Sequence, residues 1–205
     1  MNQNKILPAY ASGPNYFFES FAIFSEFLFS DYLIKHAKNS NEKRFYLEKF
    51  LEGKGMALFY VASDALLEQS IHEGMISGSI KNADDLDSIT AEINTLFSIW
   101  PPKQYPELNL RWITSSLFYE DPYYEINYVL GAMLALKFMA LYERDHESFM
   151  TNYVALLKNG FNDEPGNLLK KFLDIDINDP ALLTDAIKLI SKRVTELEVV
   201  YKSEL

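Results

Sequence analysis

NYFFESFAIFSEFLFSDYLIKHAK, residues 15–38, is the stretch on which the fold turns. Phe17, Phe18, Phe21, Ile23, Phe24, Phe27, Leu28, Tyr32 and Leu33 fall around most of a helical circumference, with Glu19, Glu26 and Asp31 set among them. The strict alternation that a half-buried strand requires is missing. A largely buried helix from about Asn15, its N-cap, to Lys38 fits the pattern. Charges recurring every few residues argue against a membrane span.

Working outward, no proline interrupts the chain between Pro14 and Pro101, so this span can hold long helices. Asn39-Ser40-Asn41 reads as a turn, and Asn41 as the cap of a second helix reaching Gly74–Gly78. Gly53 and Gly55 lower its propensity and mark a break or a close helix crossing. A third helix runs from about Asp84 to Ile99 and stops at Pro101-Pro102. Residues 103–121 read as irregular, with one short helix near 110–117. Pro122 suits the first turn of a central helix ending near Arg144. Further helices are expected over 146–158 and from Asp179-Pro180 to Tyr201. The expectation is an all-α helical bundle forming a single domain over 1–205, with 1–14 as an extended N-terminal segment.

A formal charge of −10 disfavours nucleic acid and anionic membrane surfaces as partners, since both repel an acidic protein. With no cysteine, thiolate chemistry and disulfides are excluded, in keeping with a reducing cytoplasm. Residues 1–8 carry no apolar run resembling a signal peptide.

Few residues offer chemistry. His36 and His146 lie near helix ends, where surface or capping roles are usual. His72-Glu73 resembles the opening of a His-Glu-x-x-His zinc helix, but Ile76 stands where the second imidazole belongs. No other histidine pair has ligand spacing. Glu19 and Glu26, seven apart, share one face of the Phe-rich helix. Either they form a narrow solvated stripe or they serve a ligand. Tyr119, Tyr123, Tyr124 and Tyr128 form either a helix packing surface or a groove that reads a substrate or partner.

Several segments carry a resemblance. Tyr105-Pro-Glu, Arg111-Trp112, Leu117-Phe-Tyr-Glu-Asp-Pro122-Tyr-Tyr-Glu-Ile-Asn-Tyr128 and the following Val129–Leu136 resemble the late catalytic domain of oligoendopeptidase F-type (thimet oligopeptidase-like) zinc metallopeptidases. Tyr153–Gly160, Pro165, Leu168-Leu169 and Asp179-Pro180 resemble the tail of the same enzymes, and Glu19–Glu26 their two-glutamate segment. The resemblance implies the all-helical C-terminal half of such a domain. It makes Glu19 a vestigial metal-ligand position, Glu26 its companion and Tyr128 a vestigial catalytic residue. It also places Leu117 where the family has histidine, and Asp121 and Glu125 where it has tyrosines. The His-Glu-x-x-His helix would lie about two dozen residues before Glu19, which this chain starts too late to contain.

The expectation that follows is a degenerate, catalytically inactive protein that binds a protein or peptide partner, or itself, through the Phe-rich helix 15–38. No cofactor is expected on the isolated chain. A first alternative is the C-terminal piece of a split zinc metalloendopeptidase, binding zinc only when a complementary half supplies two histidines. A second is a purely structural or regulatory helical interaction protein.

Overall fold

A computed structural model describes residues 13–98 and 103–203 of the chain. The described residues hold helices and no strand. In chain order the helices are α1 (Asn15–Lys35), α2 (Ser40–Gly55), α3 (Val61–Ser77), α4 (Ala83–Phe97), α5 (Arg111–Thr114), α6 (Leu117–Glu120), α7 (Glu125–Arg144), α8 (His146–Asn159), α9 (Pro165–Leu173) and α10 (Ala181–Ser203). A π-helical turn, Met56–Tyr60, joins α2 to α3, and a 3-10 turn, Pro106–Leu110, leads into α5. Residues 1–12 of the expected extended segment lie outside the described residues. Pro14 is extended and caps α1. The chain divides into two compact units, one made of residues up to Lys54 and from Leu130 onward, the other of Gly55–Val129.

The first unit is built on rings. Phe24 meets Phe138, Tyr142, Phe149 and Tyr153 at centroid distances of 5.1–6.2 Å, mostly edge to face, the arrangement that aromatic quadrupoles favour. Burial pushes the Tyr153 hydroxyl up to about 12. α7 is long and apolar enough to cross a membrane, yet Ala132, Leu134, Ala135, Leu136, Phe138 and Met139 on it are all core residues. α1 crosses it at Gly131, where an added Cβ would lie 2.7 Å from Glu19 Cβ and 3.2 Å from both Ser20 N and Tyr16 O. A buried guanidinium, Arg193 on α10, donates to Asp31 and Glu143 at 2.8 Å and to Glu196 at 2.9 Å.

The second unit packs Leu67 and Ile71 of α3 with Leu86 and Ile93 of α4 and with Phe118 of α6. Asn82 caps α4 in a reciprocal box with Asp85. Trp112 Nε1 donates to Asp87 Oδ1 at 2.7 Å, and Asn94 Nδ2 to Leu108 O at 2.9 Å. These bonds tie the irregular 103–121 segment to α4.

Several boundaries differ from the sequence reading: Pro14 and not Asn15 holds the N-cap position of α1, which ends at Lys35, and Asn41 lies inside α2, where Asn39 Oδ1 accepts from the Glu42 N–H at 2.9 Å. The break at Gly53 and Gly55 takes the form of the π turn that follows them. Pro122 lies in a turn, and α7 begins only at Glu125, because Tyr123 adopts φ 64°, which no right-handed helix accommodates. α9 was not foreseen. Pro165 is its first residue, placed where a missing N–H does no harm.

Candidate functional site

α3 carries Asp64, Glu68 and His72 at intervals of four, which puts all three on one face. That face is otherwise the edge of an apolar core, so the carboxylates are taken out of water along with Leu67 and Ile71. Asp64 is 6% exposed, Glu68 1%, and Glu125, at the start of α7, 7%. A single guanidinium serves the group. Arg111 Nε lies 2.9 Å from Asp64 Oδ1, its Nη2 donates to Ser63 Oγ at 2.7 Å, and its plane sits 5.0 Å from the Tyr60 ring centre.

The chain end of α7 is held by this face. The Tyr123 backbone N–H donates to Glu68 Oε1 at 2.5 Å, and the Tyr123 ring lies 4.9 Å from that of His72. Glu68 thus holds the turn that precedes α7 from 55 residues away and accepts as well from the backbone N–H of Glu125, the first residue of α7, charge-assisted bonds at a helix N-terminus. Burial is the main reason these carboxyls hold protons more tightly than usual. Burial pushes Glu125 up to about 7, aided by Asp64 and Glu68. Burial lifts Asp64 to about 6, against the pull of Arg111. Burial also raises Glu68, opposed by the Tyr123 N–H. Three acids around one cation cannot all ionise without cost.

The tyrosines singled out from sequence all lie in this second unit. Tyr119 and Tyr123 are exposed, and Tyr119 OH donates to Trp112 O at 3.0 Å. Tyr124 and Tyr128 pack ring against ring at 5.3 Å. Glu19 and Glu26 lie in the first unit, on α1. Glu19 is half-buried, its Cβ facing the bare Cα of Gly131. Glu26 is exposed and 3.9 Å from Lys54 Nζ. That ammonium sits 3.8 Å from the centre of the Phe27 ring, and burial lowers it to about 8. The sequence reading does not single out Asp64, Glu68 or Ser63; the i, i+4, i+8 spacing of Asp64, Glu68 and His72 marks a shared helix face and no more.

Zinc, which the resemblance implies, requires two imidazoles beside the Glu19 carboxylate. His36 Nδ1 lies 2.8 Å from Tyr32 O at the end of α1, His146 packs on the Tyr142 ring, and His72 on the Tyr123 ring. Among the described residues no group of three His, Asp or Glu could hold a metal. The donors present do not fit the ion. The acids of the second unit are engaged by Arg111 and by the Tyr123 N–H.

No family model matches the chain. An oligoendopeptidase F homolog of Lactococcus lactis (strain IL1403) is 26% identical over 192 residues, covering 92% of this chain and 31% of that protein. The group B oligopeptidase PepB of Streptococcus agalactiae is 23% identical over 174 residues, or 85% of this chain and 29% of its own length. Among solved structures, oligoendopeptidase-F from Enterococcus faecium superposes with a TM-score of 0.80 at 22% identity, over 92% of this chain and 36% of that one. A peptidase-class protein from Chlamydophila abortus gives 0.78 at 22%, over 96% and 33%. The chain spans about a third of the length of the curated relatives it matches. This protein is similar to oligoendopeptidase F over 92% of its own length and has the fold of a C-terminal helical part of such an enzyme.

Proposed function

We propose that these 205 residues act by binding a protein partner and do not hydrolyse peptides on their own. The observation that carries this reading is the use made of the peptidase-like segment. Glu125, where the resemblance puts a tyrosine, is buried among Asp64 and Glu68, and the Tyr123 N–H is spent on Glu68. A loop that must meet substrate needs donors aimed outward at a reacting carbonyl. Here the Tyr123 N–H and the Glu125 side chain are turned on α3, and Leu117 brings no imidazole.

The surface offered to a partner lies on α1. Phe18, Ala22, Ser25, Phe29 and Tyr32, at i, i+4, i+7, i+11 and i+14, are all exposed, and Phe29 reaches 64% exposure. A line of large rings in water is the signature of an interaction face. A photo-crosslinking residue at Phe29 should trap one partner in cells, and the same residue at the exposed Lys188 should not. Substituting Phe18 and Tyr32 by serine should abolish the Phe29 adduct. Equal capture at both positions, or none at Phe29, would refute the reading.

A second reading has one observation in its favour, the threefold greater length of the relatives. In it, the α1 face docks a separate chain that bears the His-Glu-x-x-His helix, and activity arises in the pair. Mixing this protein with such a chain and assaying a quenched peptide separates the two, since the first reading gives complex without turnover.

A further inference from the structure

The turn that opens α7 carries a bulky residue in the left-handed region. Tyr123, at φ 64°, sits where side chains other than glycine are strained. The Glu68 carboxylate, bonded to its N–H at 2.5 Å, and the His72 ring beside its own are what hold it. The same carboxylate faces two others, Asp64 on its own helix and Glu125 at the far side of the turn. Arg111 engages Asp64 and Ser63, and His72 acts on Glu68. The charges that act on Glu125 are Asp64 and Glu68, both of its own sign. Asp121, in the turn itself, adds a further negative charge to the field at Glu68, His72 opposes it, and Tyr60 packs on Arg111.

We infer that the Asp121–Glu125 turn is a proton-held latch: a proton kept among Asp64, Glu68 and Glu125 fastens the turn to α3, and losing it frees the turn. The physical reason is charge in a dry place. With one proton retained, Arg111 balances one carboxylate and a single uncompensated charge remains, stabilised by the Tyr123 N–H. With none retained, three buried carboxylates share one guanidinium. The least costly relief is for Glu125 to swing into water. Because Glu68 also accepts from the Glu125 backbone N–H, carrying Glu125 outward draws the turn off Glu68 and lets Tyr123 leave its strained conformation. The acidities agree with this order, since Glu125, at about 7, gives up its proton after Asp64, at about 6. The freed turn takes Tyr123 and Tyr124 with it, so proton concentration sets how this aromatic strip is presented. The inference rests on the cluster and stands apart from the proposed partner binding.

The test is amide hydrogen exchange on the full chain between pH 5.5 and 8.5, corrected for the intrinsic pH dependence of exchange. Protection of amides 123–127 should fall at least tenfold from pH 6 to pH 8, while α4 amides keep theirs. Glu125→Gln, which removes the charge and keeps the shape, should hold the turn protected at pH 8. Glu68→Gln, which weakens the acceptor, should leave it poorly protected at every pH. Flat protection in the unmodified protein overturns the latch, and so does an unchanged pH response in Glu125→Gln.

Discussion

Gly131 is where α1 and α7 meet, and replacing it by alanine tests that crossing directly. The new Cβ would sit 2.7 Å from Glu19 Cβ and 3.2 Å from the backbone at Ser20 N and Tyr16 O. Two of those three neighbours are main-chain atoms of a helix and cannot rotate aside, so α1 must shift. Overpacking of this kind costs about 1–3 kcal/mol, and the better helix propensity of alanine returns about 1 kcal/mol. The expected result is a net loss of about 0–2 kcal/mol in urea unfolding followed by far-ultraviolet circular dichroism, with an unchanged m-value. Gly53, also helical, is the matched control. A Cβ there meets nothing within 4 Å, and Gly53→Ala should stabilise by about 0.5–1 kcal/mol. If Gly131→Ala stabilised as much as Gly53→Ala, the close approach that places Glu19 would be wrong.

Arg193→Met should cost about 1–3 kcal/mol, since Asp31 keeps Lys35 and Glu143 keeps Lys192, and adding Asp31→Asn should recover part of that loss in the same urea titration. Lys54→Met removes an ammonium that burial disfavours and leaves its stem over Phe27; stability at pH 7 should rise by about 1–2 kcal/mol, read by thermal unfolding. The second unit should respond to pH in the direction opposite to most proteins. Its carboxyls, raised in the folded state, contribute stability that is full below about pH 4 and is lost as pH rises through about 6–7. Trp112 lies in this unit, bonded to Asp87, so the tryptophan emission midpoint in urea should be higher at pH 5.5 than at pH 8, and Glu125→Gln should flatten the difference.

What was legible in the sequence follows from how local each cause is. The Phe-rich periodicity of 15–38, the proline-free span and the glycines at 53, 55 and 160 report on their own segments, and the helices they imply are present. The start of α7 was misjudged because Pro122 favours a first turn locally, whereas Tyr123 is set by Glu68, far away on α3. α9 is hard to read locally because nine residues hold only two turns of the Leu168, Leu169, Leu173 pattern, and Pro165 reads as punctuation. The site divided the same way. The tyrosines stood out by composition. Asp64 and Glu68 look like an ordinary polar face until the fold sets Arg111 and Glu125 against them, and no spacing in a single sequence announces that.

One preparation decides whether these residues hydrolyse peptides on their own, which we propose they do not. The chain is purified without chelator, its zinc is measured, and a quenched peptide is offered to it. The expected result is zinc well below one ion per chain and no turnover, because Glu19 is one carboxylate without two imidazoles. Stoichiometric zinc, with hydrolysis abolished by Glu19→Ala, would contradict it.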